Sequence, residues 1–136
     1  MYIGNKVEKY IDIVGPKDNI IIHPTVGIAG SEYKLHINVS SGKVKIGMFT
    51  FFGAGVMLLA GSHDYKLLGN DRQDFWYKEG YDIEIGEGVW IASGVTILGP
   101  CKIGDNSVIG AGSLVTKDIP EGEVWFGSPA IFIKKI

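Results

Sequence analysis

The sequence predicts an all-β coil, and three observations lead there. Twenty glycines in 136 residues is roughly 15%, about twice the usual share, without Pro-rich or Ser-rich low complexity. Such an excess means many tight turns and argues against a helical bundle. Branched aliphatic residues recur at a fixed spacing of six from Ile85 onward. A period of six fits neither the 3.6 of an α-helix nor the simple alternation of a strand. It fits a flat-sided coil of short strands and corners, in which three six-residue units close one turn of about 18 residues and turns stack about 4.8 Å apart.

The elements follow in chain order. Counted back from Ile46, the frame of six falls on Ser40, Lys34, Ile28 and Ile22; counted forward, it falls on Phe52 and Leu58. Lys34 and Ser40 break the pattern, so the first coils are irregular or the frame slips between Tyr33 and Gly42. The uncharged stretch from Ile46 to His63 has the length of a membrane span, but its four glycines and its Thr50, Ser62 and His63 speak against one. The interval from Leu58 to Ile85 is not a multiple of six, so something is inserted. The segment 64–82 carries eight charges in 19 positions and reads as a loop leaving the coil. Loops of this length in a compact domain are usually functional.

From Ile85 the frame is regular. First positions are Ile85, Ile91, Ile97, Ile103, Ile109 and Val115, and fifth positions are Val89, Val95, Cys101, Ser107, Ser113 and Ile119. Ile and Val make up about a fifth of the chain, so six of six in one frame is roughly a one-in-ten-thousand accident. The branched first residue is expected to fill the interior, where the pleated, half-buried setting suits it. The slimmer fifth residue leaves room for the backbone to turn.

Composition bounds the rest. One domain spans 1–136, and 46% hydrophobic residues supply a core. A net charge of -2 and a pI near 5.9 argue against a nucleic-acid binder. The single Cys101 excludes an internal disulfide framework and fits a reducing compartment. Met1 to Ile13 is charged and has no apolar run typical of a leader, so a cytoplasmic location is expected. Asn38-Val39-Ser40 matches a glycosylation acceptor by chance.

The hexads of Ile85 to Pro120, the run Gly61-Ser62-His63-Asp64, the segment Val115-Thr116-Lys117-Asp118-Ile119-Pro120 and the ending Phe126-Gly127-Ser128-Pro129-Ala130 together resemble the hexapeptide-repeat acyltransferases. Among these the likeness is to the galactoside, maltose and polysaccharide O-acetyltransferases. It covers roughly Lys43 to Ile136 well and the first forty residues weakly. It implies a left-handed parallel β-helix, an exception to right-handed crossovers. It further implies acetyl-CoA as acyl donor, a sugar or glycan hydroxyl as acceptor, no metal, and a homotrimer with active sites between subunits.

His63 falls on an outward sixth position where the coil gives way to the loop. An imidazole can take a proton at neutral pH, and moving an acetyl group from a thioester to a hydroxyl needs such a base. The alternative is a surface histidine without a role; the resemblance favours the base. Asp64 could orient the ring or bind the sugar, though adjacent residues on extended chain point to opposite sides. Trp90 also stands at an outward sixth position. Were nine positions inserted, His63 and Trp90 would stack on one face. Were it 15 or 21, only a neighbouring subunit could bring them together. The resemblance puts Trp90 beside the thioester; a trimer interface would bury it equally well.

For the donor, the resemblance implies Ala92 and Ser93 near the acyl group, where backbone N–H groups would meet the oxyanion. It gives Thr116 and Lys117 as a donor-binding pair, and Lys134 as a point charge near the 3′-phosphate of coenzyme A. Gly110, Ala111 and Gly112 leave the coil surface bare for a slim pantetheine arm. Ile131 departs from the family, which has Lys or Arg there. Solvated surface is the competing account of Thr116, Lys117 and Lys134. Phe75, Trp76 and Tyr77 would stack on a sugar or pin the loop. His23, His36 and His63 lack metal-ligand spacing. The competing functions are N-acetylation of an amino or nucleotide sugar and a non-catalytic binding solenoid.

Overall fold

The computed structural model of the protein describes residues 8–29 and 33–136. Residues 1–7, part of the stretch read above for a leader, lie outside the described residues. The chain winds through a three-sided coil. Its first turn runs β1 (Ile11–Val14), β2 (Ile20–Ile22), β3 (Gly27–Ile28), and its second β4 (Leu35–Asn38), β5 (Val44–Ile46), β6 (Phe51–Phe52). The third turn begins with β7 (Met57–Leu59), leaves the coil through a short helix α1 (Gly69–Asp74), and resumes with β8 (Ile83–Ile85) and β9 (Trp90–Ile91). The fourth is β10 (Thr96–Leu98), β11 (Cys101–Ile103), β12 (Val108–Ile109). The last has β13 (Leu114–Val115) and β14 (Glu123–Gly127), after which β15 (Ala130–Lys135) doubles back antiparallel on β14.

The sides are three parallel sheets, ordered β1-β4-β7-β10-β13, β2-β5-β8-β11, and β3-β6-β9-β12-β14 with β15 at the edge. This is the left-handed parallel β-helix expected, with one protruding loop. Among the described residues no helix is long and apolar enough to cross a membrane. All twelve first and fifth positions from Ile85 to Ile119 are buried, none more than 2% exposed. Fully burying one such Ile or Val removes enough apolar surface from water to stabilise the fold by about 1.5–3 kcal/mol. The polar fifth positions solve their own burial: the Ser107 and Ser113 hydroxyls donate to the carbonyls of Gly104 and Gly110.

Strand register accounts for the irregularities. Met57 pairs with Thr96, a step of 39, which is one regular turn of 18 plus an insert of 21. Upstream, Ile20 pairs with Val44 and Gly27 with Phe51, both 24 apart, whereas Ile37 pairs with Leu58, 21 apart. The residue in register with Leu58 in the doubtful stretch is the buried Ile37, and neither Lys34 nor Ser40 fills that place. The frame slips by three between Ile28 and Ile37 and by three more before Ile46. The two slips sum to six and restore the count.

Corners explain two glycine positions. Gly88, Gly94 and Gly112, each fourth in its hexad, have φ of 65°, 71° and 73°, a left-handed conformation costly for any residue with a Cβ. Gly86, second in its hexad, lies so close to Asp105 of the next turn that a Cβ would strike its carboxylate. That carboxylate is engaged: Asp105 Oδ1 accepts from the Glu87 N–H at 2.8 Å. Asp82 caps Lys43, and Asp118 caps Lys102, in the same way at 2.8 Å.

Candidate active site

His63 stands just beyond β7, where the chain departs into the insert. The last carbonyls of a helix have no partner within it, and α1 ends facing this ring. His63 Nδ1 lies 2.9 Å from the Arg72 carbonyl and 2.6 Å from that of Phe75. Carbonyls only accept, so Nδ1 must carry the hydrogen and the lone pair of the neutral ring is on Nε2. Nε2 makes no hydrogen bond among the described residues. Nδ1 keeps its hydrogen whether the ring is neutral or charged, so proton uptake at Nε2 requires no reorientation.

The ring opens on a cleft of about 370 Å³ lined also by Val14, Asn38, Ser40, Gln73 and Trp76. Asn38 Oδ1 accepts from the Ser40 N–H at 2.9 Å, which fixes the amide, and its NH2 group makes no hydrogen bond among the described residues. The aromatic run divides its work. Trp76 lines the cleft, with Lys78 Nζ 3.5 Å from its ring centroid. Phe75 packs edge-on against Tyr77 at 5.2 Å, and Tyr77 against Tyr81 at 5.4 Å, holding the base of the insert. Loss of hydration, and then the Asp64 carboxylate, keep the Tyr77 hydroxyl above its ordinary range. Asp64 does not touch the ring: its Oδ1 accepts from the Lys66 N–H at 3.0 Å and starts the insert's first turn.

The other predicted residues lie elsewhere on the coil. Trp90, 47% exposed, stacks on Phe51 with centroids 6.0 Å apart on the third sheet, whereas His63 follows the first. Because the insert is the longest of the three lengths the frame allowed, one chain does not bring His63 and Trp90 together. Ala92 and Ser93 form the corner after β9. The Ala92 N–H is committed to the Ile109 carbonyl at 3.0 Å, and the Ser93 hydroxyl accepts from the Ala54 N–H at 3.1 Å. Gly110 is not bare: the Phe126 ring of β14 packs over it, because β14 is the next strand of that sheet. Ala111 and Gly112 beside it are exposed, and a Cβ on Gly112 would meet nothing within 4 Å.

Thr116 and Lys117 are exposed after β13, with Lys117 Nζ 5.9 Å from the Trp125 ring centroid. Lys134 is exposed on β15 in register with Val124, and Ile131 is 57% exposed opposite Phe126. His23 bonds Thr25 at 2.9 Å and His36 pairs with Asp12 at 3.0 Å, so the histidines do not converge. Among the described residues no metal-holding group of His, Cys, Asp or Glu is gathered. Asn38, Gln73 and the two orienting carbonyls escaped the sequence. Asn38 was readable only once the frame is centred on Ile37, which turns it outward.

A profile of the bacterial transferase hexapeptide family (six repeats) matches residues 82–117. The galactoside O-acetyltransferase of Lactococcus lactis subsp. lactis is 42% identical over 91 residues, covering 67% of this chain and 42% of that protein. The chain thus matches somewhat less than half the length of that relative. The crystal structure of a maltose O-acetyltransferase from Clostridium difficile 630 superposes with a TM-score of 0.64 at 31% identity, covering 96% of this chain and 72% of that one. A galactoside acetyltransferase in complex with coenzyme A gives 0.63 at 33%, covering 86% and 64%. A coil whose inward hexad positions are all buried, and which follows a solved member along nearly its whole length, belongs to the hexapeptide-repeat transferase family.

Proposed function

We propose that the protein is an acetyl-CoA-dependent O-acetyltransferase acting on a sugar or glycan hydroxyl, with His63 as general base. The observation that carries this is the fixed tautomer of His63. Two backbone carbonyls hold Nδ1–H, and the basic Nε2 is left free at a polar cleft with an aromatic wall. The relatives' O-acetyltransferase activity and the coenzyme A bound by one of them support the donor and the reaction type.

In this reading the acceptor hydroxyl lies against Nε2. A neutral alcohol is a poor nucleophile, so Nε2 takes its proton as the oxygen attacks the thioester carbonyl. The tetrahedral oxyanion needs backbone donors. Ser93 is the residue of the predicted pair for this, since the Ala92 N–H is spent on the coil ladder. Collapse expels the thiolate, which takes the proton from Nε2, giving an acetyl ester and free coenzyme A. Trp76 and Asn38 would hold the sugar, a ring face against the indole and hydroxyls on the amide. Trp90, Ala111, Thr116, Lys117 and Lys134 would serve the donor. His63 and Trp90 then belong to one site only if neighbouring copies meet, and the family resemblance makes that assembly a homotrimer.

The test is purified protein with acetyl-CoA and a panel of sugars and amino sugars, following release of free thiol. His63→Ala is expected to lower turnover by roughly 10²–10⁴-fold while the coil stays folded. Near-normal turnover in that variant sinks the assignment, and transfer only to amino sugars redirects it to N-acetylation.

A further inference from the structure

Arg72 is tied at both its ends, and the acyl-transfer reading uses only the carbonyl end. Its carbonyl accepts from His63 Nδ1 at 2.9 Å. Its guanidinium reaches back along the insert, Nε donating to the Leu67 carbonyl at 2.6 Å and Nη2 to the Tyr65 carbonyl at 2.9 Å. The helix it sits on needs such a tie. Six residues are too few for a helix to persist alone in water. The residue before α1, Leu68, supplies no side-chain cap, and no residue of α1 is buried. The Phe75 carbonyl belongs to the same unit: the Phe75 N–H caps α1 on the Asp71 carbonyl at 3.1 Å, and its ring packs on Tyr77. The Arg72 carbonyl is placed by α1, and α1 is fastened to the first part of the insert by the guanidinium.

We infer that Arg72 is a positioning residue for His63: its guanidinium holds α1 so that the carbonyls of Arg72 and Phe75 select the tautomer with Nδ1–H. The consequence for catalysis rests on His63 being the base. The planar fork matters as well as the charge. Two carbonyls are met by one rigid group, which a single flexible ammonium cannot reproduce.

The test uses the full chain labelled with 15N, its His63 ring signals identified by their loss in His63→Ala. At a pH where the ring is neutral, the wild type should show the Nδ1–H tautomer alone. Arg72→Gln should show both tautomers, and Arg72→Lys a smaller admixture, with circular dichroism of the coil unchanged. Acetyl transfer should fall roughly 10- to 100-fold in kcat for Arg72→Gln, with KM for acetyl-CoA unchanged. A wild-type ring in the other tautomer, or a ring signature unaltered in Arg72→Gln whatever kcat does, overturns the inference. If the tautomers shift as expected while the wild type acetylates no acceptor, the inference stands and the proposed function falls.

Discussion

At the residue scale, one coil disarms one side chain and arms another. Cys101 occupies a fifth hexad position inside the coil, with its Sγ 3.4 Å from the Lys117 carbonyl. Burial, with a smaller push from Asp118, raises its thiol from 9.0 to about 12. It is a slim core residue and not a nucleophile. The native protein is therefore expected to leave a thiol reagent such as a disulfide dye unreacted at pH 8 and to react fully on denaturation; prompt native reaction would show the burial to be wrong. The sign for stability follows. The folded thiol holds its proton longer than the unfolded one, so the contribution is complete below pH 9 and is lost as pH rises toward 12. His63 is the opposite case, exposed and held by two carbonyls that leave one nitrogen free.

At the scale of elements, the corners differ in what they forbid, and the difference is measurable. A Cβ on Gly47 would lie 2.6 Å from the Gly86 carbonyl oxygen of the next turn. Neither backbone can retreat without opening the ladder between them. Gly55 has φ +71° and nothing within 4 Å of a Cβ. Gly47→Ala should cost about 3 kcal/mol as overpacking against backbone, and Gly55→Ala about 1 kcal/mol as conformational strain. Denaturant midpoints of the two variants compare them directly, and equal shifts would contradict the close approach at Gly47. The insert is a different kind of element. It contributes no core residue between its ends, yet it supplies the two carbonyls at His63 and the indole of the cleft.

On the scale of the whole molecule, the pairing of Met57 with Thr96 decides where the site is built. It turns His63 and Trp90 to different faces of one coil. Under the proposed function a working site then needs two copies, and this can be tested by mixing. His63→Ala and Trp90→Ala proteins are each expected to be nearly inactive. Unfolded and refolded together, they should regain a fraction of wild-type turnover, since some sites in mixed trimers carry both intact residues. Sedimentation should give three chains per particle. Failure of mixtures to recover any activity, with trimers formed, would place both residues in one subunit's site.

The hexads determined the coil without help. Periodic branched residues at Ile85, Ile91 and their successors are all buried together by a three-sided coil of short strands, and each fourth-position glycine marks a corner that other residues enter at a cost. The interruption of that frame after Leu58 also announced the insert, and its charges announced that it leaves the core. The candidate base was readable because it stands where regular and irregular chain meet. What the sequence left open is long-range. It allowed inserts of three lengths, and only the pairing of β7 with β10 fixed the longest, hence which faces carry His63 and Trp90. It left Gly110 bare, and only the return of β14 laid Phe126 over it. The orienting groups at His63 are backbone carbonyls, which every residue possesses and no sequence pattern marks. Their role exists only because α1 folds back against the coil and aims the free end of its hydrogen-bond ladder at the ring.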